Sequence, residues 1–230
     1  MCEPEPKEAK LLKSKGYKVI DKGLSNSIGK TSFFELRDIF ASSIKRPLGP
    51  YMEFYNPDPN YLARHETLQE HTIECTTIAS ALSEMEIPEI DLLKLDTQGS
   101  EFDILKGMGE YAPLMIICEM QYLPLYHDTP SAYEICQYLF NLGYIPFNLV
   151  PFRLEGTCPI EGDGYFMPGW EHPLGRKLIQ SREEKYIALM IMFNQKNILD
   201  FVARKLKFQT KIPPIGLTQR LAAISRGSVA

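Results

Sequence analysis

The chain has 230 residues, 44% hydrophobic and 23% charged, with a formal net charge of −4. That is enough apolar sequence for one globular domain with a sizeable core, and dispersed Lys and Arg exclude a basic stripe for nucleic acid. The five cysteines (Cys2, Cys75, Cys118, Cys136, Cys158) are odd in number and form no CxxC, so reduced thiols in a cytoplasmic protein are expected rather than a disulfide framework.

Residues 1–10, "MCEPEPKEAK", lack the apolar stretch of a signal peptide. Pro6 fits the first position of a helix that Gly16 closes. "YKVIDKGLS" (17–25) reads as a strand, "SNSIGK" (25–30) as a hairpin turn, and "TSFFEL" (31–36) as the returning strand. Residues 37–70 hold five prolines and glycines among aromatics and predict a long irregular excursion. In "TTIASALSEM", Ile78, Leu82 and Met85 share one helical face. "EIDLLKLD" has too few polar breaks for a half-exposed strand, which predicts a central, parallel position.

Ser100 and Asp103 are placed to cap the next helix, with Phe102, Leu105 and Met108 facing the sheet and Gly107 or Gly109 near its end. "LMIICEMQ" (114–121) is a further strand. Ser131 and Glu134 form a capping box for a helix with Ile135, Leu139 and Leu142 inward and Gly143 as its stop. "YIPFNLV" (144–150) and "GYFMP" (164–168) read as closing strands. Residues 1–168 are expected to form one domain, and 169–230 an extension with one helix over "REEKYIALMIMFNQKNILDFVARKL". Its "YIALMIMF" segment is too short to span a bilayer. Alternating strands and helices predict an α/β fold with a mostly parallel sheet, whose ligands bind beyond the carboxyl ends of the strands.

"GLSNSIGKT" (23–31) has five residues, not four, between its first Gly and Gly-Lys-Thr, and it lies between two strands, so a turn is a better reading than a nucleotide loop. "DTQGSE" (96–101) gathers Asp96, Gln98 and Glu101 around a Gly turn. Asp96 can accept a proton, Gln98 can bond a hydroxyl, and a first-turn Glu101 is held ionised by the helix dipole. The same residues also fit an ordinary strand end and helix start. "CEMQYLPLYHDTP" (118–130) sets Glu119, Gln121, Tyr122, Tyr126 and His127 directly after a strand. Tyr and His suit a polyhydroxylated ligand, or simply cover a helix end. The four histidines have no metal-ligand spacing, and no GxSxG or HExxH is present, so no metal site is expected.

"IDLLKLDTQGSEFDILKG", "IICEMQYLPLY" and "AYEICQYLFNLGYIPFNL" together closely resemble the FkbM family of S-adenosylmethionine-dependent methyltransferases. "CEPEPKEAKLL", "GLSNSIGKTSFF" and "ASSIKRP" resemble its acidic Glu-Pro segment, its Leu-Ser…Gly-Lys element and its Ser-rich loop. The resemblance covers residues 2–167 and implies a class I methyltransferase, Rossmann-like α/β fold whose mostly parallel sheet has an antiparallel last strand. It implies S-adenosylmethionine as methyl donor and a hydroxyl of a glycan or small natural product as acceptor. Glu3 matches the acid that bonds the donor ribose, and Asp96 the acid beside the donor methyl. Gln98, Glu101, Glu119, Tyr122 and Tyr126 follow as acceptor-pocket residues. On the same resemblance the first strand, glycine-rich loop and first helix are missing, roughly 50 to 80 residues of a longer parent. The rival expectation is a non-catalytic remnant that serves as a binding or interaction module.

Overall fold

The computed structural model describes residues 1–152 and 158–210. Helix α1 (Pro6–Ser14) carries Pro6 in its first turn and is capped by the Glu5 carboxylate, which accepts from the Glu8 amide at 2.7 Å. The stretch expected as one strand over 17–25 is mostly irregular: Ile20 bridges Cys2, and only β1 (Gly23–Leu24) is regular. The expected hairpin is absent as well. Strand β2 (Gly29–Leu36) pairs with β3 (Thr67–Thr76), which lies between it and β1 in a β1-β3-β2 sheet. The β1–β3 pair is parallel and β2–β3 antiparallel.

The excursion over 37–70 is more regular than its composition predicts. It holds a short 3₁₀ turn (Ile39–Ala41), α2 (Gly49–Tyr55) and α3 (Pro59–Arg64). Gly49 and Pro50 open α2, and Pro59 opens α3 behind its Asp58 cap; proline is tolerated there because first-turn amides lack helical partners. Met52, Leu62 and the Tyr55 and Tyr61 rings pack on Leu125 and Tyr126, so the excursion roofs the loop after a core strand.

The second sheet has four strands in the order β4-β5-β7-β6. Strand β4 (Leu92–Leu95) runs parallel to β5 (Met115–Gln121), and β7 (Glu161–Pro168) is antiparallel both to β5 and to β6 (Tyr144–Phe152). Two expectations are corrected here. Antiparallel pairs outnumber parallel ones in this sheet, and β4 lies at its edge, with Leu92 38% exposed. The central strand is β5, whose near-continuous apolar run is covered on both faces. Pro146 and Pro151 belong to β6, the other edge, where a missing amide breaks the fewest ladder bonds.

Helices α4 (Ile78–Glu84), α5 (Glu101–Lys106) and α6 (Ala132–Asn141) lay Ile78, Leu82, Ile104, Leu105, Ile135 and Leu139 on Leu95, Ile116, Met120 and Phe166. The Ser131–Glu134 capping box is present, Gly107 closes α5, and Gly143 follows α6 at φ +87°. Leu142, expected inward, is exposed, because the helix ends one residue before it.

On the opposite face, α7 (Pro173–Ser181), α8 (Glu183–Met192) and α9 (Lys196–Leu206) bury Ile179, Tyr186, Met190, Leu199 and Val202 against Met115 and Met167. The single helix expected over this region is thus two. Asn194 at φ +57° breaks it, a conformation an α-helix cannot continue through. Arg182, at the α7–α8 junction, donates to the carbonyls of Ile90 (2.8 Å) and Ala112, next to the entries of β4 and β5. Residues 211–230 of the expected extension lie outside the described residues. Among the described residues no helix is long and apolar enough to cross a membrane.

Candidate functional site

The turn that leaves β4 reverses through two successive positive-φ residues, Gln98 (φ 57°) and Gly99 (φ 98°). Left-handed backbone costs a residue with a Cβ about 1–2 kcal/mol, so Gln98 is held there by its surroundings. Ser43 supplies part of that hold: its hydroxyl, buried in the segment after the 3₁₀ turn, donates to the Gln98 carbonyl at 2.7 Å. Gly99 is required for space as well as for φ. A Cβ there would stand 2.8 Å from Thr129 Oγ1 and 3.2 Å from Tyr126 Cβ. Gly99→Ala should therefore cost about 2–3 kcal/mol, read as a lower denaturation midpoint with unchanged slope.

Glu101 is 2% exposed and staples the turn from within. Its carboxylate accepts from the Thr97 amide (2.7 Å), the Thr97 hydroxyl (3.0 Å) and the Gly99 amide (2.9 Å). Burial raises its pKa, against the pull of those donors, so desolvation outweighs the helix-terminus effect expected from sequence. The expected Ser100–Asp103 cap does not form. Ser100 Oγ turns to Thr97 Oγ1 at 2.9 Å, while Asp103 pairs with Lys45 at 2.8 Å and takes the Asn26 amide at 3.1 Å. Both members of the Lys45–Asp103 pair are less than 20% exposed, so here two long-range partners outcompete a local cap.

Gln98 also joins the two loops through its side chain. Its Nε2 donates to Glu119 Oε2 at 2.9 Å, and the Tyr126 hydroxyl lies 2.9 Å from its Oε1. Tyr126 is 1% exposed, and the same hydroxyl lies 2.9 Å from the Ala41 carbonyl. Backbone bonds from Leu48 to Leu125 (2.7 Å) and from His127 to Arg46 (2.8 Å) fasten the 46–48 and 125–127 segments around it. Gln121 holds the start of that loop by accepting from the Leu125 amide at 3.0 Å.

Glu119 projects from the end of β5, one residue past the Leu95–Cys118 pair that aligns β4 with β5. Asp163 is its register partner on β7, and Glu161 is the partner of Gln121. Burial, and then the charges of Glu161, Asp96, Glu101 and Asp163, push its pKa up to about 8. The pKa of Glu161 is raised by burial and by Asp96, Glu101 and Asp163. Asp96 is half-exposed and lies 2.5 Å from Lys94 Nζ. Burial works against the Lys94 charge, but Asp96, backed by Asp163 and Glu119, lifts its pKa overall.

Of the residues singled out from sequence, Gln98, Glu101, Glu119 and Tyr126 are thus brought together by contacts, with Asp96 beside them in the same field of charge. Tyr122 stands at the outer edge, its ring edge-on to Tyr133 at 6.4 Å. Glu3 lies by the Lys18–Lys22 segment, where its carboxylate accepts from the Glu5 amide at 2.9 Å. Among the described residues no hydrogen bond links it to the Gln98–Glu119–Tyr126 group. Sequence reading did not single out Ser43, Lys45, Glu161 or Asp163. The alternation in "EGDGY" was the available signal for the last two, since residues two apart in a strand share a face.

The structure is thus a helix-covered α/β sheet with an acid-lined rim near the carboxyl ends of two parallel strands. The profile of the methyltransferase FkbM domain matches residues 1–146, and the chain belongs to that family. Membership implies a methyl donor. No curated protein and no solved structure matches the chain significantly.

Proposed function

We propose that the protein transfers a methyl group from S-adenosylmethionine to an oxygen, a hydroxyl of a glycan or small natural product, at the rim formed by β4, β5 and β7. The observation that carries this reading is the convergence of Asp96, Glu101, Glu119, Glu161 and Asp163, faced among the described residues by one close cation, Lys94. Such a field favours a positively charged ligand, and the donor's sulfonium is one. The donor, when bound, supplies an electrophilic methyl group. The Glu3 carboxylate has the two acceptor oxygens that suit a ribose diol. In this reading Asp96 orients the acceptor hydroxyl, and the half-buried Tyr122 offers an aromatic edge to a sugar-like ring.

The order β4-β5-β7-β6, with β7 antiparallel between two co-directional strands, supports a class I, Rossmann-like assignment. In this reading residues 1–168 form the methyltransferase domain and 169–230 an extension that braces its sheet. The five unpaired thiols support a reducing, cytoplasmic setting. The net charge of −4 disfavours a polyanionic acceptor.

Calorimetry with S-adenosylhomocysteine, combined with transfer of labelled methyl to a panel of glycosides and phenols, tests the reading. Saturable binding supports the reading, and Asp96→Ala should then lower turnover more than about tenfold. A protein that does not bind S-adenosylhomocysteine is the non-catalytic module instead.

A further inference from the structure

Resting on that methyl-transfer reading, we propose that Glu119 is the group that takes the acceptor's proton and that Gln98 positions it. The first support is the contrast between the two carboxylates at the strand ends. Asp96 is held 2.5 Å from the Lys94 ammonium, so its carboxylate is already engaged by a cation. Glu119 is in no ion pair among the described residues, and one of its oxygens is fixed by an amide donor.

The second support is the rigidity of that donor. Gln98 is gripped at its carbonyl by Ser43, and its side-chain oxygen lies 2.9 Å from the hydroxyl of the buried Tyr126, whose single proton serves either that oxygen or the Ala41 carbonyl. A surface glutamine bonding a surface glutamate would have no such scaffold. Here three segments far apart in sequence fix the amide against one carboxylate oxygen. Among the described residues the other oxygen has no hydrogen-bond partner, which leaves it for a ligand.

The third support is the field around Glu119. The groups facing it are Asp96 and Lys94 from β4 and its turn, Glu101 from α5, Glu161 and Asp163 from β7, and the Tyr126 phenol. Burial first, and then the four acids among the six, favour uptake of a proton and raise its pKa to about 8. A base is most useful when its pKa lies near the working pH.

The step balances without another reagent. The acceptor oxygen bonds the methyl carbon, the electron pair of the broken C–S bond stays on sulfur, and the hydroxyl proton passes to Glu119. The resulting neutral carboxyl returns the proton to water.

The test reads binding rather than turnover. An amine analogue of the donor, carrying –NH₃⁺ where the methyl stands, is titrated by calorimetry from pH 6 to 9.5 beside S-adenosylhomocysteine. Its affinity relative to S-adenosylhomocysteine should rise about tenfold or more as Glu119 ionises, with a midpoint near pH 8 in wild type. Glu119→Gln should abolish that rise, and Glu119→Asp should retain part of it. Gln98→Ala should move the midpoint upward by about half a unit or more, because the anion loses a donor; a purely structural Gln98 would leave the midpoint in place. If both ligands bind wild type and the rise is absent, or survives Glu119→Gln, the proton goes elsewhere and the assignment falls. If S-adenosylhomocysteine does not bind wild type, the methyl-transfer reading itself falls.

Discussion

Arg182→Ala lowers the unfolding free energy by about 3 kcal/mol or more, the largest loss expected from a single substitution in this chain. The guanidinium is only 10% exposed and donates to two backbone carbonyls, those of Ile90 and Ala112. Charge-assisted hydrogen bonds contribute about 1.5–3 kcal/mol each, and truncation leaves two carbonyls without their donor. The ion pairs with Glu89 and Asp91, both at 3.7 Å, add less, since those carboxylates are more than 40% exposed. Arg182→Lys should recover under half of the loss, because one ammonium cannot match the two-pronged geometry. Urea denaturation gives both values. A midpoint within 0.3 M of wild type for Arg182→Ala would show that the arginine is decorative.

Glu119→Gln makes the protein more stable at alkaline pH and flattens its stability profile. The folded-state pKa of Glu119, about 8, lies above the ordinary carboxyl value of 4.5. The folded state therefore holds its proton over an interval where the unfolded state has lost it. The resulting stabilisation is fully present below about pH 4.5 and is lost as pH rises through 8, about 5 kcal/mol over the whole interval. An amide has no such term. Between pH 5 and 8.5 the wild type should lose stability steeply, and Glu119→Gln should lose several-fold less. A residual slope of the same sign remains, because the pKa values of Glu101 and Glu161 are raised too. Parallel profiles for the two proteins would mean that Glu119 titrates as a surface glutamate.

Elements specified by their own residues were legible in the sequence. The Ser131–Glu134 box and Gly143 delimit α6 wherever the helix is placed, and the apolar run of β5 requires two covered faces. Strand β3 was not legible. "TLQEHTIECT" is polar and largely exposed, and it is a strand because eight residues of β2 pair with it. The edge position of β4 was hidden for a related reason: an apolar run reports burial but not which neighbours provide it. In the site, the "DTQGSE" turn and Glu119 stood out locally. What could not be read was the convergence upon them. Glu161 and Asp163 reach Glu119 because β7 runs antiparallel beside β5, and Ser43 reaches Gln98 across 55 residues of chain. Asp103, locally a helix cap, is claimed by Lys45 through the same kind of distant closure.

The Arg182 clamp also sets a timetable for synthesis. It joins residues 92 and 70 positions apart, so both parallel strands leave the ribosome well before the side chain that ties their entries together. At roughly 5–20 residues per second the interval is about 4 to 18 s. Throughout it the apolar face later covered by Tyr186 and Met190 is open to water and to other nascent chains. Chaperone dependence in cells should therefore track the arrival of α7 and α8 rather than completion of the acid-lined rim.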